Sequence, residues 1–254
     1  MYHYFGPAPD ADPERLFVDQ HMFGAQLDHL QRTGWHALSL DEYLAALDGA
    51  ATPRRSYLVT IDDGHESVGR IAAPLLHQRG IPSVLFVCPG LFGDRARWTQ
   101  AYPGERLAPA EQLRALPKLG MELGVHSWDH TRMVGMDAAT LDVHVRRSRA
   151  ALQAATGVSA RAFAYPFGTH DLAARRAVAA AGYDVAFAVA REHGRYAADR
   201  VFVQSTDSLT AFRLKLSGGY RLASRVGGRA WKVRHLVRAQ VARARGRVGE
   251  GRPG

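Results

Sequence analysis

The apolar positions of this chain fall into short runs of two kinds. Ser56-Tyr57-Leu58-Val59-Thr60-Ile61, Ser83 to Val87, Met121 to Val125, Ala160 to Ala164, Asp184 to Val189 and Arg200 to Val203 are strand-length runs rich in β-branched and apolar residues, which predicts buried strands. Between them lie stretches with helical spacing. Phe23, Leu27 and Leu30 share one face of a helix that stops at Gly34, and Ser39 with Glu42 forms a capping box for the next. Further helices are expected over Val68 to Arg79, near Pro109 to Leu119, Asp137 to Thr156, Asp171 to Ala181 and Ser208 to Leu216. Gly or Pro marks the breaks, and no internal repeat stands out. Repeated strand-helix units imply a parallel sheet covered by helices.

Two strands run into residues that carry chemistry. Val59-Thr60-Ile61-Asp62-Asp63-Gly64 sets two carboxylates at a strand tip. Successive strand side chains point to opposite faces, so one carboxylate can bind a cation while its neighbour takes a proton; alone, Asp-Gly is equally a common turn. Met121 to Val125 leads into His126-Ser127-Trp128-Asp129-His130. On a helical turn the i, i+4 imidazoles share a face and reach one ion about 2.0–2.1 Å from each nitrogen, although an isolated pair at this spacing also suits surface or capping histidines. Together the motifs are the inventory of a mononuclear metal hydrolase. Two histidines and a carboxylate also form the facial triad of a non-heme iron oxygenase, which the extra Asp62 and the strand-helix order disfavour. Functional residues at successive strand C-termini favour a closed barrel over an open sheet.

These residues resemble the polysaccharide deacetylase family, carbohydrate esterase family four, whose members carry T-F-D-D-G and H-[ST]-x-x-H motifs in this order. The stretches Phe23 to Leu30, Gly34 to Glu42, Gly80 to Val87 and Phe163-Ala164-Tyr165-Pro166-Phe167-Gly168 fit the same pattern, and the resemblance spans roughly residues 1–220. It implies a single-domain, distorted and incomplete (β/α) barrel of about seven parallel strands over residues 1–220; the basic tail over 221–254 is read from its charge. It also implies Asp62 as general base, Asp63, His126 and His130 as ligands of one divalent ion, and the Phe167 backbone N–H as an oxyanion donor. Tyr165, Pro166 and Trp128 are implied to meet the sugar. Zinc is the expected ion, with cobalt, manganese and nickel suiting the same ligands. The implied reaction is removal of N-acetyl groups from an amino-sugar-containing glycan or glycan precursor.

Two positions depart from the family pattern. Many relatives have an arginine two residues before the proline of the third motif, where it orients the catalytic aspartate; here Ala164 stands there, and Arg161 is a poor substitute. Many also have a Leu-His near the end of the barrel, and the matching run Arg200-Val201-Phe202-Val203-Gln204 has no histidine. The general acid is therefore unassigned, with His170 and His193 candidates by elimination. The departures also admit a carbohydrate-binding relative with impaired turnover. Retention of both aspartates and both histidines argues against it, because binding alone needs no free base beside a ligand. The loop with Trp98 and Tyr102 is expected to border the cleft.

At 254 residues and 46% hydrophobic, the chain can bury one large core. Its one cysteine, Cys88, ends an apolar run and reads as a core residue. Residues 221–254 contain ten Arg or Lys against one acid, Glu250, which equals the net +9 of the whole chain. The pI of about 10.1 therefore describes the tail, and no specific nucleic-acid binding is expected. Trp231, Val233, Leu236, Val237 and Val241 interleave with Arg234, His235 and Arg238, a pattern for a short basic amphipathic helix on an anionic membrane surface, with a solvated extension as the competing expectation. No run approaches the ~20 apolar residues of a membrane span. The expected location is the cytoplasm or its membrane periphery. Met1-Tyr2-His3-Tyr4 resembles the end of the family's first strand, so a true start upstream, with an extracytoplasmic location, is the alternative.

Overall fold

Every strand among the described residues pairs in parallel, as the strand-helix alternation leads one to expect. The computed structural model describes residues 1–9, 12–99, 102, 105–189 and 194–217. In chain order these form β1 (Tyr4–Phe5), β2 (Phe17–Val18), α1 (Gln20–Arg32), β3 (His36–Ala37), α2 (Leu40–Leu47), β4 (Ser56–Tyr57), β5 (Val59–Ile61), α3 (Ala73–His77), β6 (Ser83–Val87), α4 (Ala110–Ala115), β7 (Met121–Val125), α5 (Ala138–Asp142), α6 (Ser148–Thr156), β8 (Ala162–Ala164), α7 (Leu172–Ala180), β9 (Val185–Ala188), β10 (Ala198–Asp199) and α8 (Leu209–Leu216). Wide helical turns at Val68–Ala72 and Val143–Arg147 run into α3 and α6, so the two long helices expected from the sequence are present with loosened turns. Side-chain caps start the helices where the sequence places them. Asp19 accepts from His21 and Met22 at α1, Ser39 and Glu42 form the full capping box at α2, and Asp171 accepts from Ala174 at α7.

The main sheet has six strands in the order β10-β9-β8-β7-β6-β5, flanked by the two-stranded pairs β1-β2 and β3-β4. Its two edges meet through the first residues of the chain. Tyr2 N–H donates to Thr60 O at 3.0 Å and Asp62 N–H to Tyr2 O at 2.9 Å, while Val203 N–H donates to Met1 O at 3.1 Å. Met1–Tyr2 thus takes a seventh strand position, and the sheet curls into the expected incomplete (β/α) barrel. The residues following β10, expected as a strand over 200–203, serve this closure.

Alternate residues of the strands fill the barrel: Val84 and Phe86, Ala162 and Ala164, Val185 and Phe187, and Ala198, with Leu40 and Leu44 of α2 packed against them. Arg161, expected as a poor substitute for the missing arginine, is tied to Asp41 of α2 and to Asp184. It precedes β8 and so lies at the end of the barrel opposite the strand C-termini. Cys88 is buried, as its apolar run predicts. Residues Met1–Phe212 form one compact unit and Arg213–Gly254 a second; the amphipathic helix expected near Trp231 lies outside the described residues.

Gly124 makes this interior possible. It pairs with Phe86 across β6 and β7, and a Cβ there would stand 2.5 Å from the Phe86 ring and 2.9 Å from Ala162 O. Gly124→Ala is expected to lower stability by about 1–3 kcal/mol through overpacking, measured by urea denaturation of the purified variant; an unchanged midpoint would show that Phe86 has room to move.

Candidate active site

Side chains that fill the barrel recur every second residue, and that register aims Asp62. Thr60 pairs with Val84, which faces the interior, so Asp62, two residues on, points into the barrel mouth. Asp63 would point away if the strand continued. Instead it adopts φ 75, and the chain turns so that its carboxylate meets the loop after β7. Ser127, His130 and Phe167 share that left-handed conformation, at φ 67, 66 and 58. Among the described residues, four of the five such non-glycine residues therefore sit around one cleft, a clustering of backbone strain typical of functional sites. The segment His126 to His130 is a tight turn, not the helical turn expected, because the left-handed residues Ser127 and His130 break helical geometry. The two imidazoles nonetheless converge.

Asp63 Oδ1 lies 3.4 Å from His126 Nε2 and 3.3 Å from His130 Nε2, and it is buried without a hydrogen-bond partner. Two ligand atoms each about 2.0–2.1 Å from a shared ion at tetrahedral angles stand about 3.4 Å apart. Both Asp63 distances match that spacing, and all three atoms lie within 4.8 Å of one another. His126 Nδ1 donates to Ala164 O at 2.7 Å, which leaves Nε2 bare for a metal. The His130 ring is held between Trp98, stacked at 4.2 Å, and Phe167, edge-on at 4.6 Å. All three candidate ligands are buried.

Asp62 has a separate partner. Arg200, whose side chain is 5% exposed, grips it with two hydrogen bonds of 2.7 Å, and its guanidinium lies above the interior rings of Phe86 and Phe187. Burial pushes the Asp62 carboxyl upward, but Arg200 and His126 outweigh it and hold Asp62 below the ordinary carboxylate range. Burial acts on Asp63 in the same sense. There His130, His126 and His65 hold the carboxyl well below its usual value. His126 is displaced upward, since Asp62 and Asp63 overcome its burial, whereas burial prevails at His130 and lowers it.

The sequence did not single out Arg200 or His3. Arg200 heads the run read as the last strand, but nothing local shows that it crosses the barrel to Asp62, 138 residues away. His3 was visible only as part of a strand remnant. It is half-buried, packs edge-on to Phe202 at 5.5 Å, and keeps a buried Nδ1 without a partner. Its burial pushes the pKa down to about 4, with Asp63 and Asp62 opposing.

The remaining expectations are met unevenly. Phe167 is exposed beside His130, with the Arg132 guanidinium 4.4 Å above its ring. Tyr165 is fully buried, with its hydroxyl on Tyr196 O, and Pro166 is buried, so neither offers a side-chain surface to a sugar as expected. Trp128 is half-buried and covers Gly90, where a Cβ would meet its indole at 2.4 Å. Of the cleft loop, Trp98 stacks on His130, while Tyr102 joins Tyr4, Leu16 and Phe17 in a buried cluster. His170 packs against Tyr165, and His193 lies outside the described residues.

A family model described as polysaccharide deacetylase matches residues 49–186. The chain belongs to the polysaccharide deacetylase family. Among curated proteins this deacetylase is similar to YxkH of Bacillus subtilis (strain 168), whose name places it in the same group: 23% identity over 203 residues, covering 78% of this chain and 69% of that protein. Among solved structures it is similar to IcaB from Ammonifex degensii, with TM-score 0.71, 24% identity and coverage of 85% and 95%. The Streptococcus pyogenes deacetylase PplD, solved with acetate, gives TM-score 0.70, 19% identity and coverage of 85% and 96%. These structures share the curled parallel barrel.

Arg200→Met should cost about 3–5 kcal/mol of stability, the penalty for leaving a buried carboxylate without its cation. Urea denaturation checks this; a loss under 1 kcal/mol would show that Asp62 does not depend on Arg200. The sign with pH follows from the lowered Asp62 and Asp63 carboxyls. Their stabilisation is fully present above the unfolded value of about 3.9 and is lost as pH falls through the lower folded values. The carboxylate contribution should therefore be lost only below about pH 4, whereas His3, with its pKa pushed down to about 4, takes stability away from about pH 6.5 downward.

Proposed function

We propose that the protein is a metal-dependent hydrolase that removes N-acetyl groups from an amino-sugar-containing glycan or glycan precursor. The observation that carries this is the pair of adjacent buried carboxylates with separate partners: Asp63 in the triangle with His126 and His130, Asp62 held by Arg200. A ligand set needs only Asp63. A second carboxylate, ionised at neutral pH and fixed beside it, is what a hydrolase needs to take a proton from water.

Asp63 Oδ1 and the Nε2 atoms of His126 and His130 would hold the ion. When bound, a divalent ion would polarise the acetyl carbonyl and acidify a water. Mixed nitrogen and oxygen donors suit zinc first, with cobalt, manganese and nickel close behind. Arg200 fixes the Asp62 carboxylate in the barrel mouth, ready to accept the water's proton. The Phe167 backbone N–H, on the left-handed corner beside His130, donates to the oxygen on which charge develops. His3, whose pKa burial pushes down to about 4, is neutral at the working pH, so the proton donor for the departing amine stays unassigned. Trp98 and Phe167 wall the cleft with aromatic surface suited to sugar faces.

The test is acetate release from a panel of N-acetylated glycans by protein reconstituted with zinc or cobalt. Asp62→Asn should keep the ion and lose turnover by about 10²–10⁴-fold, whereas His126→Ala and His130→Ala should lose the ion itself, read by elemental analysis. Stoichiometric metal in both histidine variants, or a near-normal rate in Asp62→Asn, would overturn the assignment. For the tail, ten basic residues against one acid support attachment to an anionic membrane surface at about 1 kcal/mol per residue. Removing residues 221–254 should abolish salt-sensitive binding to anionic vesicles while small-substrate turnover persists; equal vesicle binding would refute it.

A further inference from the structure

Gly64, at φ 80, turns the chain directly after Asp63, and the next side chain folds back beneath the carboxylate. His65 is fully buried, and its ring stacks on Tyr4 of β1 with centroids 3.6 Å apart and planes 25° from parallel. Its Nε2 lies 3.3 Å from Asp63 Oδ2, and its Nδ1 is buried without a hydrogen-bond partner. An ionised carboxylate can only accept, so Nε2 carries the proton. The same conclusion comes from the other nitrogen: Nδ1 has no acceptor to receive a proton it might carry, and a buried N–H without an acceptor is costly.

We propose that His65 is a positioning residue for the metal, a fixed Nε2–H tautomer that ties down Asp63 Oδ2 and leaves Oδ1 alone to face the ion. This rests on the metal reading given above. The two oxygens of Asp63 have different surroundings: Oδ2 is engaged by His65, whereas Oδ1 is unpartnered and faces Nε2 of both His126 and His130. Holding one oxygen back makes Asp63 a one-atom ligand, and the positions that a second oxygen would fill stay open for water and the acetyl carbonyl. Tyr4 fixes the plane of the His65 ring, so β1 and the loop after β5 together set the direction from which Asp63 approaches. His65 Nε2 points at Oδ2 and not into the triangle, so it supports a ligand without being one.

Two measurements test this. Zinc affinity by chelator competition should fall about 10–100-fold in His65→Met, which keeps bulk and loses the donor. His65→Gln, whose amide can still donate to Oδ2, should recover to within a few-fold of wild type. Independently, nitrogen-15 NMR of the zinc-loaded wild-type protein should show His65 as the Nε2–H tautomer with Nδ1 unprotonated; this readout stands even if His65→Met fails to fold. Wild-type zinc affinity in His65→Met, or an Nδ1–H tautomer, would overturn the proposal. Both readouts are taken without substrate, so a failure of the hydrolase reading would show separately, in acetate release.

Discussion

Two carboxylates on adjacent residues, 3% and 2% exposed, cannot both stay ionised inside a protein unless each has its own positive or donating partner. Much of this molecule is arranged around that requirement. Asp62 takes a guanidinium that rests on the aromatic filling of the barrel. Asp63 takes three imidazoles, two of which converge with it on a point sized for a divalent ion while the third engages its far oxygen. Because the partners differ, the two acids differ in chemistry. One is an ionised carboxylate fixed by a guanidinium, and the other a carboxylate set among imidazoles, which is the basis of the roles proposed for them.

The barrel supplies the directions. Parallel strands deliver their C-terminal tips to one end, so Asp62 after β5, His126 after β7 and Phe167 after β8 meet although the sequence separates them widely. The inward register of β5 sends Asp62 toward the mouth, and left-handed residues then redirect the chain wherever the strand's own alternation would send a side chain elsewhere. The barrel closes through Met1–Tyr2, and that closure brings His3 and Arg200 to the site from opposite ends of the chain. Where the third motif has Ala164, the guanidinium that meets Asp62 comes instead from Arg200, in the segment after β10.

What the sequence made legible was local. The strands ending in Asp62-Asp63 and His126, the Ser39–Glu42 capping box and the run of helices each follow from patterns spanning a few residues, and all are present. The helical turn expected for His126 to His130 is absent because Ser127 and His130 adopt left-handed φ of 67 and 66, which no local pattern announces. Arg200 and His3 were not legible, since their roles depend on barrel closure over more than a hundred residues. Arg161 could only be placed once α2 was seen to cover the other end of the barrel. The resemblance implied Tyr165 as a sugar contact, yet its ring is fully buried with its hydroxyl on Tyr196 O.

The division of labour between Asp62 and Asp63 is tested most directly by X-ray diffraction from the zinc-loaded protein, with anomalous scattering to place the ion. One ion should be bonded to Asp63 Oδ1 and to Nε2 of His126 and His130, with Asp62 still gripped by Arg200 and outside the coordination sphere. An ion bonded to Asp62, or Arg200 released from it on metal binding, would contradict the separation on which the chemistry depends.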